Sequence, residues 1–531
     1  MNSTKEKNFL YKCFKTDDFW YVLDPGTNYI LKMDEYDFEI FQRTIVNDEP
    51  LNDILLDLAN KYDHVMDTLM HEQIQSVQSG IKYSHDILQE AIIYRNLFKP
   101  IVKVRQSFVH EMIKDYVSDG LTGLCLELTR QCNLRCSYCS WQDKQHNKPG
   151  YSGGFMTFMQ AKKAIDYLIT HSIRRIEIQK NFNYINNMQN GFFRVSDELG
   201  IGFYGGEPTL NFSLVENVVN YCRTITEKTG QGFLFHITSN FCEVTEEQME
   251  FCINNRIHIL ISLDGPRHIN DRYRKFANGE GTFDCIMNNV RKYRQLCKKM
   301  NKRSECSFNS VLVPPTNYDE IYSFFDQLNE EFGDSSRFSS CKMTDSFCAN
   351  VNQKTLDERN QNIFYIYKEK GLEWISNKDC TSISQNMITF IYDILGIILN
   401  RTIFPKSFCH DCGVPRSGPC LPAGRLYLSS DLKYYPCERI AHNAYFEVGD
   451  LDSGLSVEKI ETLIKRDFEM TKEKCKNCWA IRYCRLCYKD TVNQETFEES
   501  CKKWLKTLES TICNTLKILE KNVVDLEKLS R

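Results

Sequence analysis

The chain has 531 residues, of which 26% are charged and 42% hydrophobic, and its formal net charge is −4. No uninterrupted apolar run reaches membrane length, no signal-peptide pattern is visible, and the small net charge gives no electrostatic footprint for nucleic acid. With 24 cysteines and no export signal, reduced thiols with metal are favoured over a disulfide framework. We therefore expect a cytoplasmic protein that binds neither membrane nor nucleic acid.

Short strands open the chain and helical patterns follow them. Strands are predicted at Phe9–Phe14, Phe19–Leu23 and Tyr29–Met33, with a turn at Asp24–Asn28. Helices are predicted over 34–43, 51–62 and 67–80. Residues 1–95 thus form a winged-helix-like domain, followed by a linker helix over 96–118. A decorative cap or a DNA-binding winged helix is the alternative, and the acidic side chains on these helices disfavour DNA.

From residue 119 strands and helices alternate, which is typical of βα units and a parallel sheet. Residues 119–345 are predicted to form a partial (βα)6 barrel, with the active site at the carboxyl ends of its strands. Residues 174–200 interrupt the pattern and are interpreted as an inserted hairpin. A bridging region over 346–405 precedes a cysteine-rich domain over 406–531. The predicted strands are Leu124–Thr129, Ile201–Tyr204, Phe233–Thr238, Ile257–Leu263, Ser307–Val313 and Arg337–Cys341.

Three cysteines at CxxxCxxC spacing, Cys132, Cys136 and Cys139, follow the first of these strands. Three thiolates can hold three irons of a [4Fe–4S] cluster and leave the fourth iron open for a substrate. A structural zinc site needs four protein ligands, commonly supplied as CxxC pairs. The spacing therefore favours an iron–sulfur cluster in a βα loop.

One βα unit later the chain reads Gly205-Gly206-Glu207-Pro208, in which the glycines permit close approach of the backbone to a ligand. Together the two motifs resemble the radical S-adenosylmethionine (SAM) superfamily. The resemblance implies that the open iron chelates SAM and that reductive cleavage yields a 5′-deoxyadenosyl radical. By the same resemblance, the SAM-contacting residues are Tyr138, Gly205, Gly206, Glu207, Pro208, Asn240, Ser262 and Arg274. For Asp264, a turn-capping role and a role in lining the SAM site both stay open.

A second cysteine field lies in the last quarter of the chain, and its stretch 420–439 resembles the start of a SPASM domain. That resemblance implies two auxiliary [4Fe–4S] clusters, with Cys409 competing with Cys412 for the first position. The alternative is a zinc site with four cysteine ligands, although its CxxC pairs would be only five residues apart. The implied ligands are Cys412, Cys420, Cys437 and Cys487 for one cluster, and Cys475, Cys478, Cys484 and Cys501 for the other.

Glu438 directly follows an implied cluster ligand. In sulfatase-maturing relatives an aspartate at the equivalent position is a base, so the resemblance implies that Glu438 deprotonates the substrate. Alternatively, Glu438 pairs with Arg439 or Arg416 and only holds the loop.

Nearly the whole chain resembles maturases of ribosomally made, cysteine-rich precursor peptides that form thioether cross-links. The resemblance implies a radical SAM oxidoreductase whose N-terminal domain binds the leader sequence of the precursor as an added strand. It also implies an electron donor such as flavodoxin or ferredoxin. The alternatives are an anaerobic sulfatase-maturing enzyme, which forms formylglycine, and a non-enzymatic zinc or iron–sulfur interaction protein.

Overall fold

The computed structural model describes residues 10–47, 104–139, 150–178, 196–313, 318–332, 338–342 and 414–521, apart from three single positions within these ranges. A few further positions between 49 and 98 and at 396 and 398 are also described. The predicted helices over 51–62 and 67–80 and the bridging region lie almost wholly outside the described residues.

The strands in the described residues are β1 Lys12–Lys15, β2 Trp20–Leu23, β3 Ile30–Met33, β4 Val104–Arg105, β5 Gly123–Thr129, β6 Leu199–Gly205, β7 Phe233–Ser239, β8 His258–Ser262, β9 Cys306–Leu312, β10 Phe338–Lys342, β11 Val414–Pro415, β12 Leu426–Leu428, β13 Lys433–Tyr435, β14 Gly449–Asp450 and β15 Gly454–Leu455. The α-helices are α1 Glu35–Phe41, α2 His110–Asp119, α3 Phe158–Thr170, α4 Phe212–Thr229, α5 Glu246–Asn254, α6 Arg267–Tyr273, α7 Phe283–Lys299, α8 Tyr318–Phe332, α9 Val457–Lys476 and α10 Gln494–Lys521.

The N-terminal strands β1, β2 and β3 form an antiparallel sheet, as the sequence predicts. The predicted turn is built around Asp24, which is fully buried and accepts hydrogen bonds from the backbone amides of Thr27 (2.8 Å) and Phe98 (2.9 Å). Helix α1 follows, with Asp34 as its N-cap accepting from the amide of Asp37 at 2.7 Å. Trp20 stacks on Phe38 and joins this helix to the sheet.

Strands β5 to β10 are parallel neighbours in one sheet, with helices between them, so the predicted α/β barrel is confirmed. Two capping boxes start helices in this part of the chain, with Thr157 before α3 and Thr245 before α5. Val215, Val218 and Val219 of α4 are fully buried, which is the apolar stripe that packs a helix against a sheet.

Two predictions on the connections are wrong. The linker 96–118 is not helical throughout, because β4 lies within it, pairs in parallel with β11, and precedes a helix that starts at His110. The insertion does not begin as a hairpin, because residues 175–178 are helical. Its remainder, 179–195, lies outside the described residues.

The C-terminal region extends the barrel sheet. Strand β12 pairs in parallel with β5, with Leu426 opposite Leu124, and β13, β14 and β15 continue the sheet in antiparallel order. This edge thereby joins the second cysteine field to the strand that carries the first cysteine motif.

The N-terminal sheet packs on the C-terminal region. Arg482 donates hydrogen bonds to the carbonyls of Pro25 and Gly26, both at 3.0 Å. Phe14 of β1 packs edge-to-face on Trp479. The domain at the start of the chain thus contacts the loop between Cys478 and Cys484. Of the helices in the described residues, none combines the length and apolar character that crossing a membrane requires.

Candidate active site

The first cysteine motif forms a loop at the carboxyl end of β5, and the segment after α6 holds it in place. The amide of Arg135 donates to the carbonyl of Lys275 at 2.8 Å, and the amide of Ser137 donates to that of Tyr273 at 3.1 Å. These bonds fix the backbone on which Cys132, Cys136 and Cys139 stand.

The three thiols of this loop interact electrostatically with one another. Burial, with Glu207 nearby, raises the pKa of the Cys132 thiol to about 12, and burial also raises the pKa of Cys136. Since thiols with raised pKa values stay protonated near neutrality, a bound metal must displace the protons. Three thiols on one loop fit the predicted cluster with one open iron.

The glycines of the second motif are required by contact with this loop. Gly205 has φ +138°, and a Cβ there would lie 2.2 Å from the carbonyl oxygen of Thr129. A Cβ on Gly206 would lie 2.3 Å from the carbonyl oxygen of Gln131. Only residues without a side chain let the ends of β5 and β6 approach this closely.

Glu207 is fully buried and accepts hydrogen bonds from the Ser239 hydroxyl (2.8 Å), the Asn240 amide (2.7 Å) and the amide of Thr209. Its carboxylate therefore ties the ends of β6 and β7 together, and burial raises its pKa. Pro208 begins the short 3₁₀ helix Pro208–Asn211.

Asn240 lies next to the first cysteine loop. Its side-chain amide donates to Asn133 Oδ1 at 2.8 Å, and its Nδ2 atom lies 3.9 Å from Cys132 Sγ. Ser262 is half-buried at the end of β8, opposite Asn309 of β9. Both predicted residues thus stand at strand ends on the same edge of the sheet.

Tyr138 and Arg274 meet in a buried triad with Asp264. The Tyr138 hydroxyl donates to Asp264 Oδ2 at 2.5 Å, and Arg274 Nη1 donates to the Tyr138 hydroxyl at 3.0 Å. Asp264 also accepts from the amide of Val311 at 3.0 Å, so it does more than cap its turn. The guanidinium of Arg274 interacts electrostatically with Cys136, so a cation lies beside the first cysteine loop.

Glu127, which the sequence analysis did not single out, is fully buried on β5. It contacts Arg130 at 3.2 Å, His442 at 2.8 Å and the hydroxyl of Ser430 at 3.0 Å. These partners hold its pKa below the usual range despite burial. The carboxylate of Glu127 therefore joins the first cysteine loop to the C-terminal region. Its position as a charged residue within an apolar strand pattern is the feature of the sequence that could have indicated this role.

Replacing Glu127 with alanine is expected to lower the free energy of unfolding by about 1–3 kcal/mol, because the buried groups around it lose their acceptor and Arg130 keeps only the exposed Asp431 as a counter-charge. Anaerobic chemical denaturation of the holoenzyme measures this. Glu177→Ala is the control, since Glu177 pairs with Arg174 on the surface, where water screens the pair and its loss has little effect on the free energy of unfolding. Equal losses in the two variants would contradict the prediction.

The second cysteine field separates into two groups. The auxiliary A group contains Cys420, Cys437 and Cys487, whose thiols interact electrostatically, and Cys412 lies outside the described residues. The auxiliary B group contains Cys475, Cys478, Cys484 and Cys501, again in mutual electrostatic contact. The grouping is the one that the SPASM resemblance implies, and the ligand roles stay predictions.

In the described part of the chain, no three cysteine, histidine, aspartate or glutamate side chains converge tightly enough to bind one metal ion. A [4Fe–4S] cluster takes one thiolate at each iron, so its ligand sulfurs stand farther apart than those around one zinc ion. Both groups consist of thiols alone, which is the donor set that a [4Fe–4S] cluster uses.

Glu438 is half-buried beside Cys437. Its carboxylate interacts electrostatically with Cys125 of β5 and Tyr427 of β12, two strands that pair in the barrel sheet. It therefore lies between the auxiliary A group and the barrel, a position compatible with either of the roles considered for it.

Comparison with known proteins places this site in context. The Radical SAM superfamily model matches residues 126–328. A cysteine-type anaerobic sulfatase-maturating enzyme of Clostridium novyi is 25% identical over 380 residues, covering 69% of this chain and 87% of that protein. The radical SAM cyclopropyl synthase TigE of Paramaledivibacter caminithermalis is 21% identical over 464 residues, covering 85% of this chain and 83% of its own.

Among solved structures, hexahistidine-tagged anSMEcpe with bound AdoMet has a TM-score of 0.51 and 19% identity, and the match covers 77% of this chain and 97% of that one. The same protein has also been solved with AdoMet and the Cp18Cys peptide bound. This likeness shows that the two chains share a fold.

Proposed function

Because residues 126–328 are a radical SAM domain, from a superfamily that uses a [4Fe–4S] cluster and SAM, we propose that the protein modifies a cysteine-rich precursor peptide. The modification is a thioether bond between a cysteine sulfur and a carbon of the same peptide. The observation that carries the proposal is the pair of cysteine groups A and B in the C-terminal region that extends the barrel sheet, with the N-terminal sheet docked against the loop between Cys478 and Cys484 of group B.

Different residues of the site are proposed to bind the clusters and SAM. Cys132, Cys136 and Cys139 would hold the SAM-binding cluster, and groups A and B would hold the auxiliary clusters. When bound, the first cluster supplies the electron that cleaves SAM, and the auxiliary clusters supply electron acceptors. The chain itself binds and orients SAM through the Gly205–Pro208 turn, Asn240, Ser262, Tyr138 and Arg274. An electron donor of flavodoxin or ferredoxin type completes the cycle.

The N-terminal sheet is proposed to bind the leader of the precursor as an added strand. In the described residues β1 and β3 are its edge strands, and an edge strand offers unpaired backbone amides and carbonyls to an extended peptide. Arg482 and Trp479 hold this sheet against the auxiliary B group. A leader bound there would keep the rest of the precursor close to the barrel.

Two known proteins support a peptide substrate. A solved structure with the same fold contains a bound peptide. The alignment with TigE extends over 85% of this chain, whereas that with the Clostridium novyi enzyme extends over 69%. The wider coverage favours a relative of the peptide-modifying type, with thioether formation as the proposed reaction.

Formylglycine formation in a sulfatase is the second candidate function. It is favoured by the 25% identity with the sulfatase-maturating enzyme, which covers 87% of that protein. It leaves the N-terminal sheet and its contacts with Arg482 without a role, and we therefore rank it second.

The test is anaerobic reconstitution with iron and sulfide, followed by incubation with SAM, dithionite and any short cysteine-rich peptide that the adjacent genes encode. Mass spectrometry should find a peptide lighter by two hydrogens per modification, with fewer alkylatable thiols. Formylglycine in a sulfatase peptide would instead establish the second candidate. Zinc in place of iron, with no SAM cleavage, would refute both enzymes.

Glu438 provides a further prediction. If its carboxylate accepts the proton of the substrate thiol, Glu438→Gln should lower the rate of peptide modification about 10²–10⁴-fold while 5′-deoxyadenosine production continues. Glu438→Asp should recover part of the rate, and the two products are quantified in one chromatographic run. Arg439→Gln serves as the control. If Glu438 acts only through an ion pair with Arg439, then Glu438→Gln and Arg439→Gln should lower the rate equally. Equal losses would assign Glu438 to loop stability.

A further inference from the structure

A buried ion pair lies between the auxiliary A and B groups. Arg416, which is 3% exposed, forms a salt bridge with Asp467 of α9, which is 6% exposed. Arg416 Nη1 also donates to the carbonyl of Leu486 at 2.8 Å. Asp467 Oδ1 accepts from the hydroxyl of Thr491 at 2.7 Å. Both charges are thus fixed in place by neutral partners as well as by each other.

The cation of this pair faces the auxiliary B group. Arg416 Nη1 lies 3.6 Å from Cys484 Sγ and donates a hydrogen bond to that sulfur. The guanidinium also interacts electrostatically with Cys475 and Cys501. Three of the four B thiols therefore experience the same buried positive charge.

The anion of the pair faces the auxiliary A group. The carboxylate of Asp467 interacts electrostatically with Cys420 and with Tyr488, whose hydroxyl donates to the carbonyl of Cys420 at 2.8 Å. The ion pair is therefore directed, with its negative end toward A and its positive end toward B.

Other charges near the two groups are more exposed or come as offsetting pairs. Glu438 and Arg439 lie beside Cys437, and Lys489 and Asp490 lie beside Cys487. Near the B group, Lys474 is paired with Glu498 at the surface. Water screens such charges, whereas a buried pair acts through a low dielectric.

A fixed charge changes the reduction potential of a nearby cluster. Reduction adds one negative charge, so a cation and an N–H···S hydrogen bond stabilise the reduced form and raise the potential. An anion lowers the potential for the same reason. The sign of each charge in this ion pair therefore assigns a higher potential to a cluster in the B group than to one in the A group.

We propose that Arg416 and Asp467 are positioning residues that set the order of the two auxiliary potentials, so that an electron arriving at the A group moves on to the B group. This rests on the proposed function, since it requires a cluster in each group. One electron is transferred: the A cluster is oxidised by one electron, the B cluster is reduced by one, and no bond forms or breaks. The B group is then the point from which a one-electron carrier of flavodoxin or ferredoxin type removes the electron.

The position of the groups agrees with this direction. Cys437 of the A group lies five residues before His442, which contacts Glu127 on the strand leading into the SAM-site loop. The B group lies on the far side of the ion pair, where Trp479 and Arg482 contact the N-terminal sheet. An electron leaving a substrate in the barrel therefore meets the A group first.

The test is an anaerobic redox titration of the reconstituted full chain, monitored by electron paramagnetic resonance. Iron and sulfide are quantified first, and the signals are assigned with Cys437→Ser for the A group and Cys484→Ser for the B group. In Arg416→Gln, the ratio of reduced to oxidised B cluster at a fixed potential should fall about tenfold, which corresponds to ~59 mV for one electron. In Asp467→Asn the same ratio for the A cluster should rise.

Controls separate a tuning role from a structural one. Arg416→Lys keeps the charge and should restore most of the B potential, which a merely structural role would not predict. Lys472→Gln removes a surface cation of the same helix as Asp467, where it pairs with Glu469, and should leave both potentials unchanged. If Arg416→Gln loses its clusters, Arg416→Lys and Asp467→Asn test the proposal instead. Arg416→Lys should change the B potential only slightly, whereas Asp467→Asn should raise the A potential.

Unchanged midpoints in Arg416→Gln and Asp467→Asn, or a shift in Arg416→Gln that is larger for the A cluster than for the B cluster, would overturn the proposal. Wild-type protein with only about four iron atoms per chain would refute the auxiliary clusters, and with them the proposed function on which this rests. The two failures are distinguished by the iron content before any titration is made.

Discussion

Replacing Cys132, Cys136 and Cys139 together with alanine is expected to abolish 5′-deoxyadenosine production, with a fall of at least about 10³-fold to the background rate. The three thiols are the ligands that the radical SAM motif implies, and they stand together on the β5 loop. Without them no iron is left open for SAM. Chromatography of the anaerobic reaction with dithionite measures the nucleoside directly.

The iron content of the same variant checks the assignment. About eight of roughly twelve iron atoms per chain should remain if groups A and B hold clusters of their own. Cys222→Ala is the matched control, because that thiol is buried in α4 away from all three groups. A triple variant that still cleaves SAM would show that the cluster is held elsewhere.

Replacing Cys478 and Cys484 with alanine is expected to uncouple the reaction. Production of 5′-deoxyadenosine should continue within about threefold of wild type, while modified peptide falls below detection. The proposed SAM-binding residues lie at the ends of β5 to β8, whereas these two thiols belong to the auxiliary B group that we propose as an electron acceptor. Without the acceptor, the substrate radical has no route to product.

Cys513→Ala is the control for this second prediction. Cys513 lies half-buried on α10 outside both groups, so its loss should leave product formation unchanged. Circular dichroism of the double variant should show the helix content of the wild type. Modified peptide at the wild-type rate would remove the B group from the proposed reaction, and loss of both products would indicate a collapsed barrel.

Strand positions in the barrel were predictable because buried parallel strands produce short apolar runs that turn residues interrupt. The predicted Phe233–Thr238 and the observed Phe233–Ser239 differ by one residue. Connections were less predictable. Strand β4 has only two residues and exists because Val414 lies opposite Val104, a pairing between positions more than 300 residues apart.

The amino-acid sequence by itself determined the chemistry that the chain can carry. Ligand spacing is a local property, so Cys132, Cys136 and Cys139 indicate a cluster with an open iron before any fold is known. The same holds for Gly205 and Gly206, whose missing side chains are a local requirement of a close approach. The partition of the second cysteine field followed from resemblance to a known pattern, and the electrostatic contacts within each group agree with it.

Only the tertiary structure decided which buried charges face one another. Glu127 contacts His442, which lies 315 positions later in the chain. Arg416 and Asp467 are 51 positions apart, and Tyr138 and Asp264 are 126 positions apart. A charged residue in an apolar segment signals that a partner exists, because an unpaired buried charge is too costly to keep. Which residue is the partner depends on how β12 pairs with β5 and how α9 packs, and only the folded chain determines this.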